Sequence, residues 1–136
     1  MVWSELVDGV RRHGRYGSAA EAEQVTRTVL GALGAALTAE QRTGLAAGLP
    51  PEAAVMLTAG PAAGRPLKAA EFVAEIASRV AGATPATARW DAGSVLGVLP
   101  AALADDAADD ELTDLLAALP TGYALLFGRA ELVRAA

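Results

Sequence analysis

Residues 11–17 read Arg-Arg-His-Gly-Arg-Tyr-Gly, placing three arginines and the chain's one histidine ahead of a tyrosine. Guanidinium groups grip carboxylate or phosphate bidentately and the imidazole adds a further donor, so Arg11, Arg12, His13, Arg15 and Tyr16 form a candidate contact for an anion or an acidic partner. The simpler account is electrostatic. Cations collect at the C-terminal end of a first helix because its dipole favours them there. A second charged stretch, residues 105–114, packs six acids into ten positions. It lacks the mid-loop glycine and the alternating ligand positions of a calcium loop. Asp105, Asp106, Asp109 and Asp110 then either face a basic protein partner or start a helix, whose N-terminus carboxylates complement.

Other chemistries are poorly supplied. There is no cysteine, so disulfides, thiolate catalysis and Cys-ligated metals are excluded. One histidine rules out a two-histidine metal site, and no serine sits in a Gly-x-Ser-x-Gly elbow. The single lysine, Lys68, follows Pro66-Leu67 rather than a phosphate-cradling glycine loop. Glu5, Glu21, Glu71 and Glu75 are available for acid/base work, but each lies where a solvated helix face or a cap is expected. Trp3 reads as core filling. Trp90, between Arg89 and Asp91 near a helix start, reads as a partly exposed contact residue. No cofactor is expected, and the inventory points away from catalysis.

The elements that must position these residues come from a duplication. "VLGALGAAL" at Val29–Leu37 returns as "VLGVLPAAL" at Val95–Leu103 with two differences. In the same register Leu6 falls on Phe72, Val7 on Val73, Val10 on Ile76, Ala20 on Ala86 and Ala22 on Ala88. "LAAGLP" from Leu45 answers "LLAALP" from Leu115 once four extra residues are allowed in the acidic stretch. The expectation is two homologous helical units, residues 1–60 and 67–136, joined by a linker at 61–66 within "GPAAGRP".

Each unit reads as about four helices. Ser18-Ala-Ala-Glu21 and Thr38-Ala-Glu-Gln41 have the form of capping boxes. Ala22, Val25, Val29, Leu33 and Leu37 line one helical face, and Pro51 and Pro85 suit first turns. Pro100 predicts a kink or an early end near Leu99, and Gly34 marks a matching weak point in the first unit. Strand-like alternation is missing. The fold class is all-α: a helical bundle of two units packed as one pseudo-symmetric domain, because about 65 residues alone make a marginal core. Alanine, about a quarter of the chain, predicts close-packed helices with an Ala/Leu/Val core.

Taken together, Trp3 with Leu6-Val7-Val10, "VLGALGAAL", "LAAGLPPEAAVML", "EFVAEIASRV", "VLGVLPAAL" and "LLAALPTGYALLFG" resemble the bacterial domain-of-unknown-function family numbered 2267, across nearly the whole chain. The resemblance implies a helical two-repeat fold in a bacterium and carries no reaction and no catalytic residue. Trp90, in the slot matched by Gln24, and the longer acidic insertion depart from its repeat pattern. The net charge of −5 opposes nucleic-acid binding. No apolar stretch reaches the length of a membrane span, and the opening "MVWSELVDGVRRHG" lacks the pattern of a secretory leader. The expected protein is therefore soluble and cytoplasmic, with neither nucleic acid nor membrane as a partner. Its expected role is non-catalytic, binding a protein partner or its own copy. The alternative is an anionic-metabolite binder with a pocket between the units, gated by the arginine turn.

Overall fold

In the computed structural model, residues 2–102, 119–120 and 122–127 are described. Asp105, Asp106, Asp109 and Asp110 lie outside them. The described elements are α1 (Trp3–Gly14), α2 (Ala19–Ala36), α3 (Ala39–Ala46), α4 (Pro51–Leu57), α5 (Ala69–Arg79), α6 (Pro85–Leu96), α7 (Leu99–Ala102) and α8 (Tyr123–Leu126). Among the described residues there is no strand. No described helix is long and apolar enough to cross a membrane. The fold is an all-α bundle.

Helix α2 sits in its middle, touching α1, α4, α5 and α6. A helix with neighbours on several sides buries more than one stripe, and α2 does so. Val29 and Leu33 of the expected face are buried, but so are Leu30, Ala32 and Ala36, whereas Val25 is only half-buried. Small side chains let the neighbours come close. The one buried hydroxyl in α2, Thr26, donates 2.7 Å to the Ala22 carbonyl and leaves no orphan.

Capping follows the sequence with one exception. Thr38 and Gln41 exchange both bonds of their box. Thr84 accepts from the Thr87 amide at 3.1 Å, with Pro85 in the first turn. Ser18 accepts from the Glu21 amide at 3.1 Å, but only this half of the expected box forms, and Glu21 stays exposed.

The two suspected weak points behave differently. Pro100 acts earlier than expected: α6 ends at Leu96 and α7 begins at Leu99. Proline has no N–H for the Leu96 carbonyl and its ring crowds that oxygen, so the break comes at Gly97-Val98, where Val98 N–H turns back to Val95 O at 3.1 Å. Gly34 does not weaken α2, which runs through it to Ala36. A Cβ at Gly34 would collide with the Leu57 carbonyl oxygen. Its missing side chain is the notch in which the end of α4 rests.

The segment at 61–66 is tied down. Ala63 N–H and Leu67 N–H each reach the end of α2 at 2.9 Å, on the carbonyls of Leu37 and Ala36, groups that a helix C-terminus otherwise leaves unpaired. Tyr123 of α8 donates 2.8 Å to the Leu67 carbonyl and stacks on Phe72 of α5, ring centroids 5.6 Å apart. Positions matched by the copied phrase bury alike: Leu6 and Phe72, Val10 and Ile76, Ala22 and Ala88, Val29 and Val95, and Leu33 and Leu99 are all fully enclosed.

Two glycines inside helices therefore respond oppositely to the same substitution. Gly34→Ala is expected to lose roughly 1–3 kcal/mol or more in urea unfolding, because α4 must move. Gly93→Ala, whose Cβ meets nothing within 4 Å, is expected to gain about 1 kcal/mol from helix propensity.

Candidate binding groove

The last turn of α1 carries Arg11, Arg12 and His13, all exposed, and Gly14, which is buried. Only Arg15, Tyr16 and Gly17 belong to the turn expected for the whole stretch. Arg15 takes the left-handed conformation (φ 57°) that ends the helix, and Tyr16 N–H returns to Arg11 O at 3.0 Å. Gly14 is pressed against the Tyr16 ring and against Ser94 of α6 so closely that a Cβ there would collide with both. This contact lets two side-chain bonds close the junction, and a third, within α6, ties Ser94 to the turn before it. Trp90 Nε1–H donates 3.0 Å to the Gly14 carbonyl. Tyr16 O–H donates 2.6 Å to Asp91 Oδ1. Ser94 O–H donates 2.7 Å to the Trp90 carbonyl.

Beside this clasp lies an open groove of about 720 Å³. Its floor is α6 at Gly93, Ser94 and Gly97, its far wall is Leu126 and Phe127, and its rim carries His13, Arg89 and Trp90. The His13 imidazole rests on Gly97, where a Cβ would come 2.8 Å from Nε2. A second groove of about 530 Å³ runs between α5 and α6, lined by Val73, Ala77, Pro85 and Gly122 among others. Arg89 and Leu126 line both, so Arg89 stands on the ridge between them. Among the described residues no carboxylate lies within salt-bridge distance of Arg89.

The structure disperses much of the sequence-predicted cluster. His13 alone of the five lines the groove. Arg12 pairs with Asp8 at 3.1 Å while three-quarters exposed. Among the described residues Arg11 reaches only the Gly17 carbonyl, at 3.4 Å, and Arg15 serves as a cap. Tyr16 turns inward as a structural hydroxyl. Trp3 is half-buried at an edge rather than enclosed: its Nε1–H donates 3.2 Å to Glu23, and the Arg27 guanidinium lies 5.7 Å from its ring. The charged side chains of Glu23 and Arg27 on α2 lie against its ring. Those bonds from Trp3 and Arg27 hold the Glu23 carboxyl below its usual range. Trp90 is 56% exposed. The residue that sequence reasoning undervalued is Arg89, noticed only as a neighbour of Trp90; its place facing both grooves depends on α5 and α8, which no local spacing announces.

Three of the four candidate glutamates are engaged in structure. Glu5 accepts from Val2 N–H and Glu71 from Lys68 N–H, both at 2.9 Å, while Glu75 pairs with Arg79 at 3.1 Å. Among the described residues no three His, Asp or Glu side chains gather as a metal site.

An all-helical bundle carrying a mostly apolar groove with an arginine and a histidine on its rim is the class that fold and site define. A family model matches residues 3–126, and the chain belongs to that family, described as "Uncharacterized conserved protein (DUF2267)". No curated protein matches it.

Both described tyrosines titrate above their ordinary value: burial dominates at each, reinforced by the bond to Asp91 at Tyr16 and by the charge of Glu71 at Tyr123. A raised native value means that their contribution to stability is complete below the unfolded pKa of about 10 and declines as pH rises beyond it, since the unfolded chain then releases protons that the fold retains. Melting temperature measured from neutral to strongly alkaline pH is expected to fall above about pH 10, and to fall less steeply in the Tyr16→Phe/Tyr123→Phe double variant.

Proposed function

We propose that the chain is a non-catalytic binding module made of two homologous helical units that share one core, with the groove beside Trp90 as its working surface. The unit reading is supported by helix bounds as well as by the copied phrase. The offset that carries Trp3 of α1 onto Ala69 of α5 also carries Ala19 onto Pro85 and Ala36 onto Ala102, the ends of the α6–α7 stretch. Helices from both halves contribute to the same buried cluster.

The observation that carries the binding reading is the state of Trp90. Its indole is more than half exposed, yet its only polar atom is committed to the Gly14 carbonyl. A large ring held in place, with its hydrogen bond already made, offers an apolar face at little cost in side-chain ordering. Arg89 beside it supplies charge, and the His13 imidazole a polar edge. Tryptophan and arginine are the side chains on which protein contacts most often depend. A second reading, an anionic metabolite in the same groove, draws on its volume of about 720 Å³, which lies within the usual range for small-molecule sites.

Gly93→Phe tests the surface without disturbing the core, because the new side chain grows into the open groove. Proteins crosslinked to the wild-type chain in its native cells, identified by mass spectrometry, are expected to be lost with Gly93→Phe and retained with Arg12→Ala. Unchanged crosslinking by Gly93→Phe, with a melting temperature close to wild type, would remove the groove from the reading.

A further inference from the structure

Resting on that reading, the geometry points to the chemistry of the partner: we infer that the two grooves receive a peptide segment in which one carboxylate lies between two apolar side chains, the carboxylate on Arg89 and an apolar group in each groove. Arg89 is exposed and faces both grooves. The residues lining either groove include no aspartate or glutamate among those described. On a chain of net charge −5, the Arg89 guanidinium, which has no carboxylate within salt-bridge distance among the described residues, is a local cationic point, and a planar guanidinium matches a carboxylate bidentately.

The placement of the charge decides the form of the ligand. A cation at one end of a single pocket suits a molecule with one polar head. Here the cation stands on the ridge of α6, with apolar walls on both sides: Trp90 and Phe127 in the larger groove, Val73 and Pro85 in the smaller. Trp90 has no free donor, so it selects an apolar group rather than a hydrogen-bonding one. Both grooves are open to solvent, whereas small-molecule sites usually enclose most of their ligand. An extended or helical segment laid across the α6 ridge meets both lobes at once, and its backbone can remain wet.

The test is selection from a random dodecapeptide library displayed on phage, run in parallel on the full chain and on its Arg89→Glu variant, with circular dichroism to show that both are folded. The wild type is expected to enrich peptides with Asp or Glu between bulky apolar residues, and Arg89→Glu to weaken them by about tenfold or more while enriching Lys or Arg at the central position. Synthetic copies are then titrated against Trp3→Phe protein, in which Trp90 is the sole indole and reports occupancy of the larger groove. Enriched peptides without a central acid, or bound equally by Arg89→Glu, overturn the carboxylate anchor, and the binding-module reading survives if Gly93→Phe abolishes them. No enrichment at all overturns both. Decanoate shifting Trp90 emission at lower concentration than the best peptide overturns the peptide in favour of a small anion. A concentration-dependent dimer that Gly93→Phe dissolves overturns it in favour of a second copy.

Discussion

The missing Cβ at Gly14 sets the distance between α1 and α6, and much of the molecule follows from that distance. A methyl group there would strike both the Tyr16 ring and Ser94. With only hydrogen in the way, the end of α1 lies against α6, the unpaired carbonyl of Gly14 comes within reach of the Trp90 indole, and the tyrosine two residues later reaches Asp91. These bonds span about the width of one helix contact but join residues far apart in the chain, so they fix the first helix to the sixth. Such a bond contributes roughly 0.5–1.5 kcal/mol net, more where an ionised carboxylate accepts. Breaking one would leave a buried or half-buried group without its partner.

The same contact builds the candidate surface. His13 is carried onto Gly97 because it precedes Gly14, and Trp90 is held on the rim because its nitrogen is occupied. The groove exists where the broken α6–α7 stretch, α8 and the end of α1 diverge. Proline at position 100 takes part in this: α6 ends at Leu96, and Gly97 and Pro100 line the groove. At the matched position, Gly34, the first half has a straight helix whose surface is filled by the end of α4. One substitution in otherwise similar sequence thus accompanies a packed helix in one case and an open groove in the other.

What local spacing could reveal, it revealed. The helical period of Val29 and Leu33, the caps at Thr38 and Thr84, the first-turn prolines and the helix-breaking run at 61–66 all depend on neighbours within about one turn. Leu33 and Leu99, at matched places in the copied phrase, are both fully buried. The failures share a cause. Gly34 looks like a helix weakness until Leu57 is known to lie against it, Tyr16 looks like a surface contact until Asp91 is opposite, and the arginines look like one cluster until the helix spreads them around its circumference. Charge type was readable, but which cation faces a concavity was not, because the groove is made by segments from both ends of the chain.

The junction of α1 with α6 is tested most directly by solvent exchange of the Trp90 indole N–H, followed by NMR in Trp3→Phe protein where a single indole resonance remains. An indole more than half exposed would ordinarily exchange as freely as a model compound. Bonded to the Gly14 carbonyl, it is expected to be protected at least about tenfold, and Gly14→Ala is expected to abolish that protection. Exchange at the free rate in the Trp3→Phe protein, or protection that survives Gly14→Ala unchanged, would contradict the clasp and, with it, the fixed ring on which the proposed binding surface depends.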